Sequence, residues 1–78
     1  MRESQEVKYY EYLDELNKVV PGNDYRNCVI AKGLATGHRK TMNEDWLRKV
    51  LIGDHQEGFI DYNEMLNQFY LYKKYLKI

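Results

Sequence analysis

Four segments of the chain carry apolar residues at intervals of three and four, and this spacing limits the fold to packed helices. In the first segment the apolar stripe is Tyr9, Leu13, Leu16 and Val20. Residues at such intervals share one face of an α-helix, so each segment can bury one side against the others. The sequence therefore predicts an all-α fold of four helices.

Turn-forming residues set the boundaries of the first two helices. Pro21 and Gly22 end the first helix, because proline cannot continue the hydrogen-bond ladder and glycine favours a turn. Asp24 is predicted to cap a second helix, and Gly37 is well placed to end it. The first half of the chain is thus predicted to be a helix-turn-helix pair.

The second half repeats this organisation. Thr41 and Glu44 have the spacing of a capping box, which predicts the start of a third helix, and Gly53 is expected to break it. Asp61 and Glu64 repeat the same spacing at the start of a fourth helix. The buried stripes of these two helices are predicted to contain Trp46, Leu47, Val50 and Leu51, and then Met65, Leu66, Phe69, Tyr72 and Leu76.

Charge and cysteine content exclude several classes of protein. Lys plus Arg and Asp plus Glu both count 12, so no net charge favours broad electrostatic capture of nucleic acid. Cys28 is the only cysteine, which rules out an internal disulfide and indicates a reducing, cytoplasmic location. No stretch approaches the roughly 18 apolar residues of a membrane span, so no membrane partner is expected.

The segment from Gly53 to Glu64 resembles the twelve-residue loop of an EF-hand. Gly58 occupies the sixth position, where the loop turns sharply, and Ile60 occupies the eighth, which is apolar in the family. Asp61 and Glu64 fall at the ninth and twelfth positions. The competing interpretation is an ordinary glycine turn followed by a helix cap.

The first half of this loop lacks the oxygen ligands that calcium needs. Gly53 stands where an aspartate should begin the coordination, and His55 replaces the third-position ligand. The remaining ligand candidates are Glu57, the Phe59 carbonyl, Asp61 and Glu64. We therefore expect calcium to be absent or weakly bound and no other cofactor, with the loop retained for its shape.

Together with the helix pattern outside the loop, the chain resembles one calmodulin-like lobe of the EF-hand superfamily, most closely a myosin essential light chain. The resemblance implies a single domain over 1–78, with two degenerate hands at about 6–36 and 41–76. The first loop, near 17–29, has no acidic ligand set, and a short strand contact between Tyr25 and Ile60 would join the hands. The chain would be an amino-terminal lobe or a single-lobe light chain.

For function, the resemblance implies a calcium-independent adaptor rather than an enzyme. Light chains grip an amphipathic helix of the myosin heavy chain, the IQ motif, in a groove between their hands and stiffen it. The residues expected to line such a groove are Leu16, Ile30, Leu34, Met42, Leu51, Met65, Leu66 and Phe69. For each of these residues, a place in the core is the competing interpretation.

Two other functions fit the sequence less well. An enzyme is not indicated, because nothing around Cys28 resembles a nucleophile turn that would pair it with His38 or His55. The alternative is a small helical DNA-binding or host-inhibitor protein of phage type, with a recognition helix at 41–52 after the basic residues Arg39 and Lys40. The zero net charge weighs against DNA binding.

Overall fold

A computed structural model describes residues 3–78 of the chain, and all of its regular secondary structure is helical. The helices are α1 (Glu3–Val19), α2 (Asp24–Ala35), α3 (Glu44–Gln56) and α4 (Tyr62–Leu76), with a 3₁₀ turn at Arg39–Thr41 between α2 and α3. No β-strand occurs in the described part of the chain. The predicted all-α fold of four helices is confirmed.

The first helical pair is joined by a tight turn at Pro21-Gly22, as the sequence predicts. The cap of α2 differs from the expectation, because the Asn23 side chain, and not Asp24, accepts a hydrogen bond from the Arg26 amide at 3.3 Å. Asp24 is instead the first residue of the helix, where its negative charge interacts favourably with the positive end of the helix dipole.

The connector between α2 and α3 is held by Met42, which is 4% exposed. A Cβ atom on Gly33 would come within 2.7 Å of the Met42 sulfur, so the absence of a side chain at Gly33 allows this close approach. Gly37 ends α2 with a positive φ of 83°, as its sequence position predicts.

The start and end of α3 both depart from the prediction. Asn43 caps the helix by accepting a hydrogen bond from the Trp46 amide at 2.9 Å. Thr41 lies in the 3₁₀ turn, where its hydroxyl donates to the His38 carbonyl, so the predicted Thr41 capping box is wrong. Gly53 does not break α3, which continues to Gln56. Asp54 in the last turns of α3 pairs with Arg26 on α2, and this contact favours helix there despite the low helix propensity of one glycine.

The turn into α4 agrees closely with the sequence. Asp61 accepts a hydrogen bond from the Glu64 amide at 2.7 Å and the Glu64 carboxylate accepts one from the Asp61 amide at 3.3 Å, which confirms the predicted capping box. Gly58 has a φ of 83°, a left-handed conformation that favours glycine. Ile60 is 4% exposed and anchors the turn to the core.

Each half of the chain forms a helical hairpin, and the hairpins pack on a common core. Its central side chains come from all four helices and the connector; they are Leu16, Val20, Ile30, Ala31, Leu34, Met42, Leu47, Leu51, Ile60, Tyr72 and Leu76. Tyr9, Leu13, Trp46, Met65 and Phe69 pack around them as partly buried residues.

A buried polar network links the two hairpins. Arg26 on α2 donates to Asp54 on α3 through Nε and Nη2, at 3.0 and 2.7 Å, which makes a bidentate ion pair. The Asn23 side-chain amide bridges Asp54 and Gln68 at 3.2 and 2.9 Å. Arg26 is 9% exposed and Asp54 is 3% exposed, so both charges are largely removed from water. We call Asn23, Arg26, Asp54 and Gln68 the polar lock.

A second buried contact joins α2 to α4 beside the polar lock. The Tyr72 hydroxyl donates to Asn27 Oδ1, and the Asn27 amide donates to the Val20 carbonyl at 2.8 Å and to Asn17 at 2.9 Å. Burial raises the pKa of the Tyr72 hydroxyl well above its ordinary value. Among the described residues, every buried side-chain nitrogen and oxygen has a hydrogen-bond partner.

The predicted first hand does not have the expected loop. Only residues 20–23 separate α1 from α2, and Tyr25 is helical. The predicted strand contact between Tyr25 and Ile60 is therefore wrong. The Tyr25 ring instead lies 6.4 Å from the ring of Phe59, centroid to centroid, so an aromatic side-chain contact joins the start of α2 to the turn between α3 and α4.

Candidate functional site

An exposed apolar groove lies between the outer sides of α3 and α4. It has a volume of about 230 Å³ and is lined by Arg48, Leu51, Ile52, Met65, Leu66 and Phe69. We call this the α3/α4 groove. The helical period explains its position, because Ile52 and Leu66 each follow a residue that packs inward and so lie about 100° further around their helices.

Two groove residues face solvent with large apolar side chains. Leu66 is 51% exposed and Ile52 is 40% exposed, whereas Leu51 at the groove floor is 1% exposed. Tyr62 and Tyr70, four residues before and after Leu66, are 58% and 63% exposed and extend this surface along α4. A continuous exposed apolar stripe beside a groove is typical of a protein-binding surface.

Charged residues border the groove at Phe69. The guanidinium of Arg48 and the ammonium of Lys73 lie 5.6 and 5.2 Å from the centroid of the Phe69 ring. Glu44 accepts a hydrogen bond from Lys73 at 3.0 Å and pairs with Arg48 at 3.5 Å. The hydrogen bond from Lys73 lowers the pKa of the Glu44 carboxyl. The rim thus carries two cations that share Glu44, and Arg48 also lies 3.8 Å from Asp45.

The structure divides the eight predicted partner-binding residues into two sets. Four of them, Leu51, Met65, Leu66 and Phe69, line the α3/α4 groove. The other four are core residues and do not reach this groove; they are Leu16, Ile30, Leu34 and Met42. The apolar period of a helix identifies both kinds of position alike, so the sequence did not separate them.

The predicted degenerate calcium loop is shorter than twelve residues. Gly53 and His55 belong to α3, and only residues 57–61 lie between α3 and α4. His55 Nδ1 lies 2.9 Å from the Ile60 carbonyl oxygen and closes the turn. Glu57 and Phe59 are exposed on the turn.

The ligand candidates of that loop do not converge. Asp61 and Glu64 form the capping box of α4 and so satisfy backbone groups. Within residues 3–78, no group of three or more His, Cys, Asp and Glu side chains is arranged to hold a metal ion.

Sequence reasoning missed Arg48 and Ile52 as groove residues. Ile52 follows the predicted stripe residue Leu51 and extends the apolar face of α3 toward α4. The sequence feature that could have identified Ile52 is an apolar residue outside the predicted core stripe of α3. The same signal marks Tyr62 and Tyr70 on α4.

Comparison with protein-family models, with curated proteins and with solved structures finds no match for this chain. Function is therefore inferred from the geometry and from the residues alone. None of the helices in residues 3–78 is long and apolar enough to cross a membrane.

Proposed function

We propose that this protein is a non-enzymatic adaptor that binds one amphipathic helix of a partner protein in the α3/α4 groove, independently of calcium. The observation that carries the proposal is the exposure of Leu66 and Ile52 beside an apolar groove. A partner helix would place apolar side chains at positions i and i+4 between these two residues and cover Phe69.

The size of the groove sets the expected affinity. Burying a large aliphatic side chain contributes about 1.5–3 kcal/mol, and the groove has room for two such anchors from the partner. The loss of translational and rotational freedom offsets part of this gain. We therefore expect a dissociation constant on the order of micromolar, typical of a reversible adaptor.

The resemblance to a myosin essential light chain nominates an IQ-type helix of a myosin heavy chain as the partner. Two helical hairpins and the sharp turn at Gly58 are compatible with the EF-hand interpretation, whereas the capping box of Asp61 and Glu64 is what the competing interpretation, a glycine turn followed by a helix cap, predicts. The short turns at 20–23 and 57–61 depart from calcium-binding loops, so the proposal includes no calcium step.

The rim of the groove distinguishes between partner helices. Arg48 and Lys73 flank Phe69, so a helix with acidic residues beside its apolar stripe gains electrostatic complementarity there. A basic IQ-type helix would need to direct its positive residues away from this rim. Affinity for an IQ-type peptide and for a charge-reversed peptide with the same apolar stripe therefore separates the light-chain proposal from helix binding in general.

The test is a calorimetric titration of the full chain with both peptides, with calcium and with a chelator. We expect micromolar binding that calcium does not change. The variant Leu66→Asp should weaken binding at least about ten-fold, because a charge replaces an apolar anchor. The control is Val7→Asp, which changes an equally exposed residue on α1 and should leave binding intact. Absence of binding by both peptides would remove the proposal.

DNA binding or host inhibition, as in small phage proteins, is the second candidate, and one contact favours it. Arg39 donates from Nη1 to the Leu76 carbonyl at 3.3 Å, which brings the basic residues 39–40 beside the lysines at the end of α4. Duplex DNA binding at low salt that Lys40→Glu weakens would support this function. A mobility assay without a shift at low salt would exclude DNA binding.

A further inference from the structure

A wide cleft lies on the other flank of α3 from the α3/α4 groove. This cleft has a volume of about 740 Å³, and its wall includes Tyr25 and Phe59. The residues of α3 that line it, Val50, Gly53 and Asp54, lie roughly 120–160° around the helix from Arg48, which borders the groove. We call it the turn cleft.

The aromatic wall of the turn cleft faces solvent. Tyr25 is 62% exposed and Phe59 is 63% exposed, although their rings contact each other. The inner side of this wall already holds a cation, because the Arg26 guanidinium lies 5.1 Å from the centroid of the Tyr25 ring. Cations are attracted to the negative faces of aromatic rings, most strongly where water is partly excluded.

The charge of the turn cleft is negative. Arg26 and Asp54 lie at its floor and neutralise each other in the polar lock. Asp24 and Glu57 are exposed carboxylates at the cleft, and neither belongs to an ion pair in residues 3–78. The cleft therefore has two carboxylates outside ion pairs beside two exposed aromatic rings, and the positive N-terminal end of α2 offsets part of the Asp24 charge.

Helix stability does not account for the acidic residue at position 57. Glu57 caps the C-terminus of α3, where the helix dipole is already negative and a basic residue would be favoured. The dipole therefore deepens the negative potential that the two carboxylates create in the cleft. Gly53 leaves the wall open, since a Cβ there would contact nothing within 4 Å.

We propose that the turn cleft binds the side chain of an arginine from a partner protein. A guanidinium is flat and can lie over an aromatic ring while its N–H groups donate to carboxylates; Arg26 already makes a cation–π contact with Tyr25. The cleft is wide and open, so the peptide that carries the arginine can continue into solvent on both sides.

The probe for this site is N-acetyl-arginine-N-methylamide, titrated into the full chain and followed by amide NMR. The matched control ligand is the citrulline derivative, which has nearly the same shape without the charge. We expect the arginine probe to shift the amides of Gly53 and Phe59 with a dissociation constant of roughly millimolar. Equal shifts with citrulline would overturn the proposal.

A second arm tests whether the arginine must lie within a peptide. N-acetyl-arginine carries an α-carboxylate that Asp24 and Glu57 repel, and it lacks the α-ammonium group of the free amino acid, so it should bind more weakly than the blocked probe. Equal or tighter binding of N-acetyl-arginine would overturn the assignment to an arginine within a partner chain.

Variants separate the cleft from general electrostatic attraction. Phe59→Ala and Glu57→Gln should each weaken the arginine probe about five-fold, and both residues are exposed, so the fold should persist. Tyr10→Ala removes a ring of the same exposure on α1 that does not line the cleft, and Glu11→Gln removes a carboxylate on α1. Both controls should bind as the wild type does. A loss in the controls equal to that in the cleft variants would overturn the proposal.

Discussion

Asp54 and Ile52 lie two residues apart on α3, and their environments are the reverse of what their chemistry favours. The aspartate is 3% exposed and the isoleucine is 40% exposed. Burying an ion pair contributes little net stability, because the loss of hydration offsets the attraction of the charges. Exposing a large aliphatic side chain also contributes nothing to folding. The comparison therefore separates a side of α3 that fixes how the hairpins pack from a side that is available to a partner.

The largest effect is expected from removal of one member of the buried ion pair. Asp54→Ala leaves Arg26 charged and buried without its partner, which should lower the free energy of unfolding by about 3–5 kcal/mol. Urea denaturation followed by circular dichroism measures this loss. Asp45→Ala removes only exposed ion pairs on the same helix and should cost less than about 1 kcal/mol. Similar losses in the two variants would contradict the interior role of Asp54.

Tyr72 gives the polar interior a signature at alkaline pH. Its pKa is raised in the folded protein because burial disfavours the phenolate, whereas the unfolded chain releases the proton near pH 10. Stability contributed by this group is therefore complete below about pH 10 and is lost above it, at about 1.4 kcal/mol per pH unit until the folded form ionises.

The variant Tyr72→Phe should reduce that alkaline slope. It should also cost about 1 kcal/mol at neutral pH, because the side-chain oxygen Oδ1 of Asn27 loses its hydroxyl donor. Urea denaturation at several values from pH 9 to pH 12 measures both effects. Tyr70→Phe, at a ring that is 63% exposed, is the control and should keep the wild-type slope. An unchanged slope in Tyr72→Phe would contradict the assignment.

Substitutions at two glycines test how far α3 extends, and the positions of both Asp54 and Ile52 depend on that length. Gly53→Ala should stabilise the protein by about 0.5–1 kcal/mol, because alanine is the better helix former and its Cβ meets no atom. Gly58→Ala should destabilise it by about 1 kcal/mol, because φ is 83° there. Thermal unfolding of both variants measures the difference. A destabilising Gly53→Ala would return residue 53 to a loop, as the EF-hand register requires.

The smallest effect on folding is expected on the outer side of α3 and α4. Leu66→Gln keeps a good helix former and should change the free energy of unfolding by about 0.5 kcal/mol or less. The same protein sample should lose most of its affinity for the partner helix. A large loss of stability instead would show that Leu66 belongs to the core and would remove it from the binding surface.

The helices were predictable from local chemistry, and the interactions between them were less so. The three-and-four spacing, Pro21 and the Asp61 capping box act within a few residues, so the sequence shows them directly. The caps of α2 and α3 were misassigned by one and two residues, because Asn23 and Asn43 compete with nearby Asp24 and Thr41 for the same role.

The polar lock escaped sequence reasoning because its members are far apart in the chain. Asn23 and Gln68, for example, are separated by 45 positions. A signal was present, since Asp54 continues the stripe of Leu47 and Leu51 at helical spacing. Reading Gly53 as a helix end placed Asp54 in a loop and hid that signal.

Of the eight residues predicted to bind a partner, four line the α3/α4 groove and four lie in the core. The sequence pattern does not separate the two sets, because an apolar residue at helical spacing can have either a core role or a surface role. Leu51, Met65, Leu66 and Phe69 were identified by type and spacing, yet so were core residues such as Ile30. Which of them face solvent depends on how the hairpins pack, and that packing follows from the polar lock.

The polar lock also determines the alignment of the hairpins along their long axes. Aliphatic surfaces of two helices can interlock again after a slide of one turn, about 5.4 Å, with little change in buried area. A bidentate ion pair between a guanidinium and a carboxylate has no equivalent position one turn away. A chain with leucines in place of Arg26 and Asp54 would therefore depend on the hydrogen bond between Tyr72 and Asn27 to fix the alignment, and the turn cleft, whose walls come from both hairpins, would be the first surface to lose its shape.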